Sequence, residues 1–332
     1  MSTTIRELVK TFYATQKLRI QTYNRVVSKQ YLEDLGESFV LDLLGKKKFK
    51  KDDEKEKGAR SALIKKMIEE YSDIQEKVDG ERAISRRYKM LENSTGAIRG
   101  YDKYIMIQMC VKFKQQENLI EGAIKTSVER EALWKRFLVQ VIGCGPMMAA
   151  VIMSEFNILE ARHVSSFWKY AGLDVVHNLE TDTWEGRSRK AAHLVDKQYE
   201  DKDGKLQTKK SITYNPFLKT KLIGVLGSSF LKHPGPYREV YDNYKHRIQM
   251  RVENMDDKDP MKKKFTPGHI HNMSVRYMIK MFLKDLYNAW RKLEGLEVDE
   301  DYWTKYISGR QHGETPAGVV IAKPNYELLD EY

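Results

Sequence analysis

Apolar residues in the first 130 positions recur mostly at three- and four-residue steps, the spacing of one helix face. Ile5, Leu8, Val9, Phe12, Tyr13, Ile20, Tyr23 and Val27 trace a stripe that predicts an amphipathic helix from Ile5 to Val27. Ile64, Met67, Tyr71, Ile74 and Val78 alternate steps of three and four, a two-heptad seam that allows dimerisation or an antiparallel helical arm. A third helix is expected from Ala97 through Tyr101, Ile105, Met109, Phe113 and Leu119 toward Ile124. Between the first two, Gly45 to Gly58 reads as a charged linker, with Lys46 to Lys51 answered at once by Asp52, Asp53, Glu54 and Glu56. Residues 1–128 therefore read as a helical module.

The pattern changes near residue 129. Leu138, Val141 and Ile142 run into Gly143-Cys144-Gly145-Pro146 and then the apolar stretch Met147 to Ile152, a helix–turn–helix signal with Pro at the first helical position. Phe167 to Leu173 is a short aromatic segment. Residues 174–213 lack helical periodicity and contain the turn pair Asp203-Gly204, so a long polar loop or a short hairpin is expected. Asn215-Pro216 should cap a helix through Leu218, Leu222, Val225 and Leu226; Pro234-Gly235-Pro236 breaks it. Tyr237, Val240, Tyr241, Tyr244 and Ile248 mark the next helix, and Thr266-Pro267 opens a last one running to Trp290. The chain thus reads as mostly α: residues 1–128, a second domain over 129–295 containing a helix–hairpin–helix element, and a tail over 296–332.

Composition narrows the class. At 41% hydrophobic and 32% charged residues there is material for packed cores under a strongly solvated surface. No apolar run approaches the ~18–20 residues of a spanning helix, and Met1 to Lys10 lacks the apolar core of a signal peptide. Two cysteines, Cys110 and Cys144, offer neither a disulfide framework nor a paired zinc site. These features lead us to expect a cytoplasmic protein, nucleoid-associated if the source is prokaryotic. The net charge of +11 is unevenly spread: residues 1–204 carry +5, residues 205–276 carry +9 and residues 277–332 carry −3. A concentrated cationic stretch is the electrostatic footprint of a polyanion.

Candidate chemistry follows from these segments. Gly143 and Gly145 leave backbone N–H groups uncovered at a helix start, where orphan donors and the helix dipole favour a phosphate oxygen. An ordinary helical hairpin would have the same glycines. Cys144 has no neighbouring base in sequence and reads as a small turn residue rather than a nucleophile. His269 and His271, two residues apart at a helix start, point to different faces and do not make a metal pair. The basic stretch supplies Lys209, Lys210, Lys219, Lys221, Arg247, Lys262, Lys263 and Lys264 as phosphate contacts, interleaved with tyrosines.

Along the chain these segments resemble the C-terminal transposase domain of the insertion sequence 110 family (the 110/116/902 group). The resemblance rests on Ile142-Gly143-Cys144-Gly145-Pro146, Ser154-Glu155-Phe156, Phe167-Trp168-Lys169-Tyr170-Ala171-Gly172-Leu173, Asn215 to Leu222, the Tyr237 to Arg247 helix and Arg276 to Leu286. It covers about residues 130–295, roughly half the chain. It implies a DNA-binding protein of a mobile element, acting in transposition or recombination. The family's enzymes pair a RuvC-like acidic domain with a serine nucleophile in the polar loop after Ala-Gly-Leu. Here that serine maps to Ser188, flanked by Arg187, Arg189 and Lys190, with Ser211 as the second candidate. Residues 1–130 read as helices rather than a RuvC-like sheet; Asp42, within Phe39 to Leu44, is the one acidic residue in a strand-like apolar run. No cofactor is evident, and a divalent metal enters only if a RuvC-like site is supplied elsewhere. The partners implied are DNA and structured RNA, with no membrane and with self-association allowed by the heptad seam. Strand transfer is left open against two alternatives: a non-catalytic nucleic-acid-binding protein derived from a transposase, and a helical interaction protein with an acidic partner.

Overall fold

A computed structural model describes residues 3–44, 52–92, 94–178, 182–259 and 262–298. The fold is mostly α-helical. Two units divide the chain, one formed by Glu7–Ala123 and the other by Ile124 onward together with Met1–Arg6.

The first unit is built from α1 (Thr3–Val26), α2 (Lys29–Leu35), α3 (Glu37–Leu44), α4 (Asp52–Gly80), α5 (Ile84–Glu92) and α6 (Tyr101–Val128). The Ile64-to-Val78 seam lies on α4, which packs against α2, α3 and α5. Its Leu63, Met67, Tyr71 and Val78 are buried in a core shared with Val26, Val27, Leu35, Leu91, Tyr104 and Ile107. α6 starts four residues later than its apolar pattern predicts. Ala97 and Ile98 belong instead to a buried strap before the helix, whose backbone N–H groups donate to Glu70 Oε2 at 2.6 and 3.2 Å. Tyr31 locks the same strap, its hydroxyl donating to Ala97 O (2.7 Å) and accepting from Arg99 N (3.2 Å).

One sequence expectation is corrected here. The linker expected through Gly58 ends earlier, because α4 already runs from Asp52. Gly45 to Lys51, with the whole lysine run, falls outside the described residues. The strand-like run Phe39 to Leu44 lies in helix α3, in keeping with the helical reading of residues 1–128, and Asp42 is exposed on it.

In the second unit α7 (Ala132–Arg136) leads through a 3₁₀ turn (Leu138–Gln140) to α8 (Pro146–Glu155). The first arm of the predicted hairpin is therefore a short helix and a turn, not one continuous helix. α8 is apolar on every side and buried on every side from Met148 to Ser154. α9 (Val164–Tyr170) follows. The region expected as a long polar loop or a short hairpin holds two antiparallel hairpins, β1 (Val175–Asn178) with β2 (Thr183–Gly186) and β3 (Val195–Glu200) with β4 (Leu206–Ser211). Period-two patterning is hidden in the second hairpin because both of its faces are exposed. Its turn is the Asp203-Gly204 pair, with Gly204 at φ +76° and the Asp201 carboxylate accepting from the N–H groups of Asp203 and Lys205.

α10 (Pro216–Thr220) begins where the sequence places it, Asn215 Oδ1 accepting from Leu218 N at 3.0 Å. It continues through one π-helical turn (Lys221–Leu226) into α11 (Gly227–Lys232). α12 (Pro236–Glu253) and α13 (Pro267–Leu293) complete the unit, the latter capped by Thr266. α13 is its spine and packs against α7, α9, α11, α12 and the π turn. Phe156 stacks on Phe167 at 4.1 Å between ring centres, and Phe167 meets Tyr287 edge-on. The predicted tail beyond residue 298 lies outside the described residues.

Candidate functional site

Four separated sequence segments meet around the loop that follows β2. Gly172, at φ +66°, lets the chain turn at Ala171-Gly172-Leu173 and leaves room for the Tyr214 ring, whose Cδ2 would stand 2.6 Å from an added Cβ. Asn215 caps α10 and also donates through Nδ2 to Glu155 Oε2, at the end of α8. Asp174, directly after the Gly172 turn, receives the Arg187 guanidinium through Nε (2.9 Å) and Nη2 (2.8 Å). Arg187 is thereby fixed, with Nη1 donating to Thr213 Oγ1 at 2.7 Å, and it presents the next residue, Ser188.

Ser188 Oγ lies 2.9 Å from His193 Nδ1. His193 closes a 3₁₀ turn (Ala191–His193) and is buried, whereas Ser188 is half-buried. The Ser188 backbone N–H donates to the same Nδ1 at 3.1 Å. That bond makes Nδ1 the acceptor and places the neutral ring's proton on Nε2. Nε2 has no hydrogen-bond partner, and the nearest carboxylate oxygen, Glu185 Oε2, is 3.9 Å away. Lys190, and after it Asn178, hold the Glu185 carboxyl below the usual carboxylate range. The arrangement is a hydroxyl with an aligned proton acceptor and a carboxylate behind it, which is the relation an activated serine requires.

Cations border this pair. Lys219 Nζ and Arg276 Nη2 both donate to Arg187 O, the carbonyl next to Ser188, at 2.7 and 3.4 Å. Burial, then the nearby Arg276 charge, lowers the Lys219 amine to about 8. Burial likewise lowers Arg276 and Lys280. Gly186 makes this possible, since a Cβ there would collide with Arg276 Nη1. Arg189 is exposed beside the serine, while Lys190 is paired with Glu185. Trp184 on β2 is 71% exposed and sits cross-strand from His177.

The other predicted contacts are dispersed. Lys221 lies over the Phe217 ring at 5.5 Å. Gly143, at φ +93°, packs on Ser229 and Phe230 of α11, about 15 Å along the helical segment from Lys219 at 1.5 Å per residue. At the start of α8, Pro146 has no N–H, and the N–H groups of Met148 and Ala149 both bond to Gly145 O, so few donors remain for a phosphate. Cys144 is buried and its thiol is pushed up to about 12 by that burial. Lys209 and Lys210 are exposed on β4, and Arg247 covers the stacked pair Tyr244–Tyr277. Lys262 is tied to Asp257 and Met255 O, whereas Lys263 and Lys264 are exposed. Ser211 ends β4 with its hydroxyl 3.5 Å from Ile212 O.

The sequence reading missed His193, Glu185, Asp174, Arg276, Lys280 and Trp184. His193, Glu185 and Trp184 were local to the candidate serine, five residues after it and three and four before it. The others are brought in by the hairpin and by α13. Asp42 is exposed on α3, and among the described residues no group of three or more His, Cys, Asp or Glu is placed to hold an ion. No described helix is long and apolar enough to cross a membrane. The chain matches no protein-family model, no curated protein and no solved structure.

Proposed function

We propose that this chain is a transposase-type protein acting on DNA, with Ser188 as the nucleophile toward a phosphodiester and His193 as its base. The observation that carries the reading is the 2.9 Å Ser188 Oγ–His193 Nδ1 hydrogen bond in a loop ringed by cations. In the step, Oγ forms a bond to phosphorus and its proton passes to Nδ1. The bond from phosphorus to the leaving sugar oxygen breaks, and that oxygen takes a proton from water. Charge developing on the phosphoryl oxygens is met by Arg189, Lys219 and Arg276. The Glu185 carboxylate faces the imidazolium formed. Trp184 offers a flat apolar face for an unpaired base.

The test is a denaturing gel for a covalent protein–DNA adduct, using duplex, single-stranded and RNA–DNA substrates. The wild type is expected to form the adduct, and Ser188→Ala to lose it while still retaining DNA at ~50 mM salt, where phosphate contacts are strong. Retention without any adduct from the wild type would leave the protein as a non-catalytic binder. No retention of DNA or structured RNA would overturn the nucleic-acid reading and favour an acidic protein partner.

A further inference from the structure

Lys219, Arg276 and Lys280 are three half-buried cations with a single carboxylate, Asp174, acting on all of them. That carboxylate is already engaged by the Arg187 fork. Among the described residues none of the three forms an ion pair. Four cations therefore surround one committed anion, an arrangement that costs stability, because charge withdrawn from water is tolerated only when it is compensated.

The two ammonium groups are held in place by contacts that do not neutralise them. Lys280 Nζ sits 4.2 Å from the centre of the Trp168 ring, and Lys219 Nζ 4.6 Å from that of Tyr214. Aromatic faces orient a cation while leaving its charge available. Trp168 is itself fixed, its indole N–H donating to Lys280 O at 3.1 Å. Gly186 opens the space that Arg276 occupies. Positioned, uncompensated cations of this kind are built to be completed by an anion.

We propose that Lys219, Arg276 and Lys280 form a binding site for one phosphodiester group of a nucleic-acid strand. A ligand carboxylate would need only one guanidinium fork, as Asp174 does with Arg187; three donor groups on α10 and α13 suit the oxygens of a tetrahedral phosphate. The site borders the Arg187 carbonyl and so delivers the phosphate to Ser188, which rests on the nucleophile assigned above. The Lys219 amine faces Arg187, Arg189, Arg276 and Asp174 and loses its proton near pH 8. Affinity therefore falls as pH rises through about 8, and Lys219→Arg carries binding to higher pH.

The probe is the dinucleotide TpT, whose one phosphodiester keeps a single charge over this range, titrated calorimetrically at about 20 mM salt where screening is weak. Arg276→Met and Lys280→Met are each expected to weaken binding about tenfold, as loss of a charge-assisted hydrogen bond does. Both variants should melt at the wild-type temperature or above it, since each removes an uncompensated cation; a merely structural role would lower the melting temperature. Lys232→Met, on the exposed end of α11, should change affinity less than twofold. If Arg276→Met fails to fold, Lys280→Met and Lys280→Arg carry the same test. TpT affinity indifferent to these substitutions in folded protein overturns the site, even if the DNA adduct forms. TpT binding that depends on them without any adduct supports the site and overturns Ser188 as nucleophile.

Discussion

The two units treat buried charge in opposite ways. In the helical first unit the carboxylates of Glu117 and Glu70 are both matched. Glu117, 1% exposed, receives Arg19 Nε at 2.6 Å with Lys114 nearby at 3.7 Å, and the half-buried Glu70 closes the strap before α6. In the second unit Lys219, Arg276 and Lys280 share a carboxylate that Arg187 has already taken, and His193 keeps a ring nitrogen without a hydrogen-bond partner. Matched buried charge specifies a fold. Unmatched buried charge lowers stability, and its retention makes sense where a ligand supplies the missing partner. The contrast is a ground, independent of any motif, for placing the proposed site in the second unit.

The largest effect that sharpens this contrast is catalytic. His193→Gln removes the acceptor at Nδ1 and is expected to slow adduct formation by about 10²–10⁴, the range for a lost general base, with DNA retention kept. A quenched time course on a fixed DNA substrate measures it, and an unchanged rate would detach His193 from the chemistry.

The next effect sets one substitution against itself in the two units. Arg19→Met strands the buried Glu117 carboxylate and should cost about 2–4 kcal/mol in urea denaturation. The same replacement at Arg276 removes a charge with no counterion and should be neutral or stabilising. Equal losses at both positions would break the comparison.

A smaller effect comes from a carboxyl inside the second unit. Burial raises the Asp285 carboxyl from 3.8 to about 7, against a hydrogen bond from the Tyr237 hydroxyl at 2.9 Å. The folded state therefore binds more protons than the unfolded chain between roughly pH 4 and 7, and stability contributed by the protonated acid is lost as pH rises through that window. Asp285→Asn should raise the melting temperature at pH 8 by several degrees, roughly 2–4 °C per kcal/mol for a unit of this size, and change little at pH 4. Equal shifts at both pH values would mean the carboxyl does not titrate there.

How much of this was legible in the sequence depends on whether the signal was local. The α4 seam, the Asn215 and Thr266 caps and the Asp203-Gly204 turn were legible, because each is written in residues a few positions apart. The strap at Ala97 and Ile98 was not: its apolar residues kept a helical spacing, while the carboxylate that satisfies its backbone comes from Glu70 on another helix. Ser188 with its flanking cations was legible as a candidate. The carboxylate, arginine and lysine around it were not, since Asp174, Arg276 and Lys280 are joined to it only by the hairpin and by the path of α13. The basic stretch misled in part, because Lys262 is spent on Asp257 and Arg247 on a tyrosine stack.

The weakest expected effect separates neighbouring residues of one strand. In the β3–β4 register Lys209 pairs with Lys197, and Tyr199 and Gln207 fall on the same face; Lys210 pairs with Asp196, and Glu200 shares its face. The charged residues on one face of this exposed hairpin, beside Tyr199, are thus all basic, whereas the other face carries both signs. If the hairpin lies along a nucleic-acid backbone, the basic face meets it. Lys209→Ser should then reduce the slope of log affinity against log salt by about 1, the value of one phosphate contact. Lys210→Ser, whose charge is already opposed across the strand, should reduce it by clearly less. Neither should alter stability by more than about 0.5 kcal/mol, since both side chains are exposed. Equal slopes for the two variants would mean that the hairpin contributes only net charge; a smaller slope for Lys210→Ser alone would turn the hairpin over.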